Sequence, residues 1–221
     1  MGVAALGGSV TGPLRGATGI LGGTFDPIHH AHLAVAQLAR ETFDLRRVLF
    51  IPAAQPPHKP GRPITPAEHR LAMVEAATAD NPWFEVSRIE LERDGPSYTV
   101  DTLAALRAKA PDDHIALILS AESYAEFGAW REPARILELA DLIVAARDGF
   151  ADPDPELLPR QFPHADAAIA FLDGPRIRLS ASEIRDLAAA GRSVRYLVPD
   201  AVAAYIGDHG LYQDQRRIHR S

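Results

Sequence analysis

His29 and His32 stand three residues apart behind a glycine pair, in the stretch Gly22-Gly23-Thr24-Phe25-Asp26-Pro27-Ile28-His29-His30-Ala31-His32-Leu33. Imidazoles at that spacing project to one side of a helix if both lie in its first turn. There they can donate hydrogen bonds to phosphate oxygens and, when protonated, offset the charge that builds during phosphoryl or nucleotidyl transfer. Gly22 and Gly23 leave bare peptide units that a phosphate can approach closely. A second pair, Ser182 and Arg185, sets a hydroxyl and a guanidinium at the same spacing behind Ser180-Ala181-Ser182-Glu183, which has the form of a helix-capping box. Each motif alone has a plainer reading, a tight turn for the glycines and a helix start with a surface arginine for the second. A transition-metal site at the histidines would want a further carboxylate or thiolate, and the chain has no Cys.

The elements that must hold these groups follow from periodicity. Thr18 to Leu21 is short and apolar, and Leu33 to Phe43 carries apolar residues at helical spacing, so strand, glycine turn and helix are expected in succession. The helix then aims its free N–H groups and positive dipole end back at the turn, where an anion binds well. Arg47 to Ile51 reads as a buried parallel strand, completing a βαβ unit. The proline-dense loop from Pro52 to Pro60 follows, and Lys59 is as fit to contact a ligand there as to be solvated. Thr65-Pro66-Ala67-Glu68 predicts a capped helix to about Ala79, with His69 and Arg70 at its surface. Phe84 to Ser87 alternates as a strand, with Ile89 to Glu92 continuing it. Ser97 predicts the cap of a helix to Lys109, so that Tyr98 and Thr99 sit in a first turn with free N–H groups. His114 to Leu119, Leu142 to Ala146 and Ala168 to Leu172 are further strands, and Pro133 to Ala140 and Val198-Pro199 to His209 are helices. Asp148 to Asp166 reads as a variable linker.

Composition narrows the function. The 221 residues, 47% hydrophobic and 24% charged, suit one α/β domain over 18–212, with a loose extension at 1–17 and a basic tail at 213–221. A formal net charge of −6 argues against a general nucleic-acid coat. The absence of Cys excludes disulfides and a thiol nucleophile. No stretch of membrane-spanning length or secretory signal is present, so a cytoplasmic protein without a membrane partner is expected. A homo-oligomer is compatible with the sequence.

The glycine-histidine string resembles the signature of the nucleotidyltransferase superfamily, with Ala31 where that signature usually has Gly. Gly95-Pro96-Ser97-Tyr98-Thr99-Val100-Asp101-Thr102-Leu103, with Pro56-Pro57-His58-Lys59 upstream, narrows the resemblance to bacterial nicotinate mononucleotide adenylyltransferases. Trp130-Arg131-Glu132-Pro133 and Leu179-Ser180-Ala181-Ser182-Glu183-Ile184-Arg185 are similar to two further segments of that family. The resemblance covers about residues 18 to 212 and implies a doubly wound, mostly parallel Rossmann-like α/β sheet with helices on both faces. It implies AMP transfer from ATP to nicotinate mononucleotide, with His29, His32 and Arg185 as catalytic residues. Gly22, Gly23, Thr24, Phe25, Lys59, Glu122, Ser180 and Ser182 would hold ATP. Ser97, Tyr98, Thr99 and Trp130 would hold the nicotinate mononucleotide, although Trp130 could equally anchor the core. Mg²⁺ would arrive bound mainly to the ATP phosphates. Two competitors share parts of the pattern: a transferase acting on phosphopantetheine or a cytidylyl acceptor, and a nucleotide-binding regulatory domain without turnover.

Overall fold

A computed structural model describes residues 12–56, 64–146, 148–149 and 151–213. Its elements are β1 (Thr18–Gly23), α1 (His30–Phe43), β2 (Arg47–Pro52), α2 (Ala67–Thr78), β3 (Phe84–Val86), α3 (Thr99–Lys109), β4 (Ile115–Ser120), α4 (Ala121–Ala125), α5 (Pro133–Leu139), β5 (Asp141–Ala145), α6 (Leu157–Gln161), β6 (Ile169–Leu172), α7 (Ala181–Ala189) and α8 (Asp200–Asp208). The six strands form one sheet in the order β3-β2-β1-β4-β5-β6, with every neighbouring pair parallel. This is the doubly wound arrangement expected from the sequence, and its order reverses between β1 and β4. The crevice beyond their carboxyl ends is where such sheets bind ligands.

The apolar strand runs are explained by burial on both faces. Alternate residues belong to opposite layers. Leu21, Phe50, Ile118 and Ile143 pack with Ala36, Met73, Ile184 and Val202 from α1, α2, α7 and α8. Ile20, Ile51, Leu119 and Val144 pack with Leu103 and Ile136 from α3 and α5. With period-two alternation and no solvent face, the central strands β2, β4 and β5 run apolar along most of their length, whereas the edge strands β3 and β6 expose Glu85 and Phe171.

Several local expectations are corrected. Arg70 is not a surface residue but one of the largest fully buried side chains, 1% exposed. It shares the inward stripe of α2 with Met73, Val74 and Ala77, and its guanidinium donates to the carbonyls of Thr65 (2.8 Å), Thr24 (2.7 Å) and Ala54 (3.2 Å). Pro66, not Thr65, is the residue flanking α2, and no side chain caps it. His69 is half-buried and hydrogen-bonded to the Tyr205 hydroxyl at 2.9 Å. Ile89 to Glu92 does not extend β3, because Ser87 Oγ accepts the Ile89 N–H (3.3 Å) and the chain turns. Within 148–166 the chain forms α6, whose Leu158 is buried, and Tyr124 donates its hydroxyl to the Asp154 carbonyl. Of the residues before β1, 12–17 pack on the domain through buried Leu14 and Ala17.

Replacing Arg70 with Met leaves three carbonyls without their donor in a water-poor setting, at about 1–3 kcal/mol for each acceptor that water cannot reach. Arg70→Met is expected to lower unfolding stability by at least about 3 kcal/mol. Urea denaturation of the two proteins would check it.

Candidate active site

The residues after β1 are held by a strained turn. Phe25 adopts φ 48°, in the left-handed region that a bulky side chain rarely occupies. The turn buries its ring, which meets His32 edge-on with centroids 5.1 Å apart. Phe25 therefore supports the site from the core and lines neither of the cavities described below, unlike the ATP contact expected of it.

Helix α1 starts at His30, three residues earlier than expected, with His29 as its extended N-cap. The His29 backbone N–H donates to His32 Nδ1 at 3.3 Å, and the two rings stack at 3.8 Å and 19°. Because Nδ1 of His32 accepts, the neutral ring carries its proton on Nε2, the tautomer that can donate to an anion.

The second motif is brought to the first. Ser180 caps α7 by accepting the Glu183 N–H at 3.2 Å, and the Arg185 guanidinium donates to Ser182 Oγ at 2.7 Å and to the Asp26 carbonyl. Asp26 is buried, and its carboxylate accepts the Tyr212 hydroxyl at 2.8 Å. Burial, then the Asp26 carboxylate, pushes the Tyr212 phenol far above its ordinary value, so it stays a donor. The loop after β1, α7 and the segment after α8 thus meet on Asp26.

Two cavities open beyond the strand ends. One, of about 520 Å³, is lined by Gly22, His29, Ala31, His32, Glu122, Ser180, Ser182 and Arg185. The other, of about 290 Å³, is lined by Gly22, Gly23, Thr24, Glu90, Ser97, Tyr98, Thr99, Trp130 and Arg131. They share Gly22 and Trp130 as common walls. Lys59 lies outside the described residues. Among the described residues no group of three or more His, Asp or Glu gathers that could hold a metal ion on its own.

The smaller cavity departs from expectation in detail. Ser97 does not cap α3. Its Oγ accepts the N–H groups of Ala54 (3.0 Å) and Gln55 (3.3 Å), tying the residues just after β2 to the cavity wall. Tyr98 is the N-cap and its N–H donates to the Pro96 carbonyl at 3.1 Å, so Thr99 is the first helical residue with an orphan N–H. Trp130 is half-buried against Phe127 at 5.5 Å, both core anchor and cavity wall.

Sequence reasoning missed Arg70, Asp26, Glu90 and Tyr212. Only Arg70 carried a local signal, a charge on the apolar stripe of a helix. Glu90 is 7% exposed, accepts the Thr102 hydroxyl at 2.6 Å, and burial raises its pKa.

A carboxyl whose folded pKa is raised stabilises the fold while protonated, and that stability is lost as pH climbs through the folded value. The stability of Glu90→Gln relative to the native chain should therefore rise as pH climbs above the ordinary carboxylate range, read from urea midpoints. For Gly22, which lines both cavities, an added Cβ meets no protein atom within 4 Å. Gly22→Ala should keep its unfolding free energy within about 1 kcal/mol and lose roughly 10²-fold in turnover efficiency, measured by denaturation and steady-state kinetics.

Comparison with known proteins gives the family. The cytidylyltransferase-like family matches residues 20–187. A probable nicotinate-nucleotide adenylyltransferase of Thermomicrobium roseum is 47% identical over 195 residues, 88% of this chain and 91% of its own. A second, from Roseiflexus castenholzii, is 49% identical over 198 residues, 90% of this chain and 98% of its own. In fold, the chain is similar to Plasmodium falciparum nicotinic acid mononucleotide adenylyltransferase complexed with NaAD, with TM-score 0.75 and 18% identity over 90% of this chain and 98% of that one. By sequence over nearly its whole described length, and by a shared parallel sheet, the chain belongs to the nicotinate-nucleotide adenylyltransferases within the cytidylyltransferase-like family.

Proposed function

We propose that the two cavities hold ATP and nicotinate mononucleotide, and that the protein transfers AMP between them to give nicotinate adenine dinucleotide and pyrophosphate in NAD biosynthesis. The observation that carries this reading is their meeting at Gly22, beside His29 and His32. One cavity is rich in phosphate donors and the other has an aromatic wall.

The mononucleotide phosphate supplies the attacking oxygen. A new oxygen–phosphorus bond forms at the ATP α-phosphate as its bond to the bridging oxygen breaks, and pyrophosphate leaves with that electron pair. No protein nucleophile is needed, so catalysis rests on positioning and charge stabilisation. His29 and His32 meet the α-phosphate, with the Nε2 proton of His32 set by its Nδ1 bond. Ser182 and Arg185 receive the departing pyrophosphate, and Ser180 holds the α7 terminus toward it. Lys59 is proposed to join them. Glu122, which lines the larger cavity, would meet the adenosine ribose. Gly22, Gly23 and Thr24 allow the nucleotide to approach the backbone. The cavity's donors fit phosphate oxygens better than a bare cation, so Mg²⁺ would be held chiefly by the phosphates and offset their charge. A cytoplasmic setting, where ATP is plentiful, suits this activity, and among the described residues no helix is long and apolar enough to cross a membrane.

Pyrophosphate release with ATP plus nicotinate mononucleotide tests the proposal. Release only with a phosphopantetheine or cytidylyl-type acceptor, or none at all, would overturn it. His32→Ala should lower kcat by about 10²-fold or more, with a smaller effect on either KM, because its contact strengthens in the transition state. A change confined to KM would make His32 a binding group only. The acid should exceed nicotinamide mononucleotide in kcat/KM by about ten-fold or more, since the Thr99 end of α3 favours an anion and an amide presents a donor to it. Parallel assays at one ATP concentration decide that preference.

A further inference from the structure

Two charged side chains line the smaller cavity among the described residues, Glu90 in its wall and Arg131 at its rim. Much of the remaining lining is apolar, including Ile51, Leu103, Leu117 and Ile136. A carboxylate entering such a space is costly without a cationic or hydrogen-bonding partner. Backbone donors cover only part of that need, because the Tyr98 N–H is already given to the Pro96 carbonyl.

Arg131 is held where the missing partner would stand. Its Cζ lies 4.6 Å over the centroid of the Tyr98 ring, the residue that caps α3. The backbone that puts it there is unusual. A single 3-10 turn (Phe127–Ala129) ends at Trp130, and Glu132 then takes φ 51°, left-handed without being glycine, before Pro133 starts α5. This reversal carries Trp130 and Arg131 together to the cavity, a conformation whose strain is characteristic of ligand-binding sites. The other partner of Arg131 is Glu132, at 3.6 Å, with both side chains more than half exposed. An exposed contact of that kind contributes little and does not hold the guanidinium away from a ligand. Arg93, the nearby alternative, donates to Thr102 Oγ1 and does not line the cavity. Burial favours the neutral form of Glu90, which leaves Arg131 to set the sign of the cavity.

We infer that the Arg131 side chain is a specificity-determining residue, placed over Tyr98 to pair with the carboxylate of the pyridine mononucleotide and so to select acid over amide. The inference rests on the proposed substrate and adds a residue that reads it. A guanidinium offers a carboxylate two parallel N–H donors, and an amide can satisfy only one of them.

The test compares the full-length native chain with Arg131→Gln and Arg131→Lys, each with the acid and the amide mononucleotide at saturating ATP. In Arg131→Gln the ratio of acid to amide kcat/KM should fall about ten-fold or more, with the acid's loss appearing in KM. Arg131→Lys should keep part of the ratio, since it retains charge without the fork. A ratio within about two-fold of the native value in Arg131→Gln would overturn the inference, whatever happens to the absolute rates. Calorimetric titration of the two mononucleotides without ATP gives the same comparison independently of turnover. A native chain that binds both but releases no pyrophosphate would sink the proposed reaction, while the titration would still decide the role of Arg131.

Discussion

The loop face beyond the strand ends depends on one buried guanidinium. Arg70 joins the loop after β1 through Thr24, the loop after β2 through Ala54 and the entry to α2 through Thr65. Backbone carbonyls in loops cannot be buried without donors, and no helix or sheet ladder is available to supply them there. Arginine offers five N–H groups in a rigid fork on a side chain long enough to reach three loops, which lysine cannot reproduce. Desolvation opposes the charge, and the neighbouring Asp26 carboxylate offsets part of that cost.

Asp26 extends the same arrangement toward the chemistry. Its carbonyl takes Arg185 from α7 and its carboxylate takes Tyr212 from the segment after α8. A residue inside the first motif is therefore the mutual anchor of two segments more than 150 positions away. This explains how the Ser182–Arg185 pair on a late helix comes to line one cavity with histidines at the start of the first helix. It also explains why the turn tolerates Phe25 at positive φ: the ring packs against His32 and Phe50, and that packing offsets the local strain.

The cavities sit at the reversal point of the sheet because β1 and β4 are neighbours whose following helices leave on opposite faces. Gly22 at the end of β1 and Ser120 at the end of β4 frame the opening. Trp130 enters from the layer opposite α1 and serves both cavities. Parallel pairing sets this geometry, because all strand ends with free loops then point the same way.

The strand and helix pattern was legible in the sequence because it depends on local periodicity. Continuous apolar runs had to be two-sided strands, and Ser180 with Glu183 had to start a helix. The histidine pair and the Ser182–Arg185 pair were visible for the same reason, since three-residue spacing is a property of one helix. Boundaries governed by long-range bonds were not legible. Ser97 is a good cap by type, but the N–H groups of Ala54 and Gln55 compete for its oxygen. Ile89 and Leu91 alternate like a strand, yet a single Ser87 side chain turns the chain first. Asp26 and Tyr212 carry no local sign of burial, and the position of Arg70 on an apolar helix stripe is only a hint of it, until three loops and a distant late segment converge. Sequence by itself determined which residues could donate, accept or stack, because those capacities belong to side-chain type and local spacing. Tertiary structure alone decided which capacities were spent internally and which were left facing a ligand, because burial and long-range hydrogen bonding are set only when the elements pack.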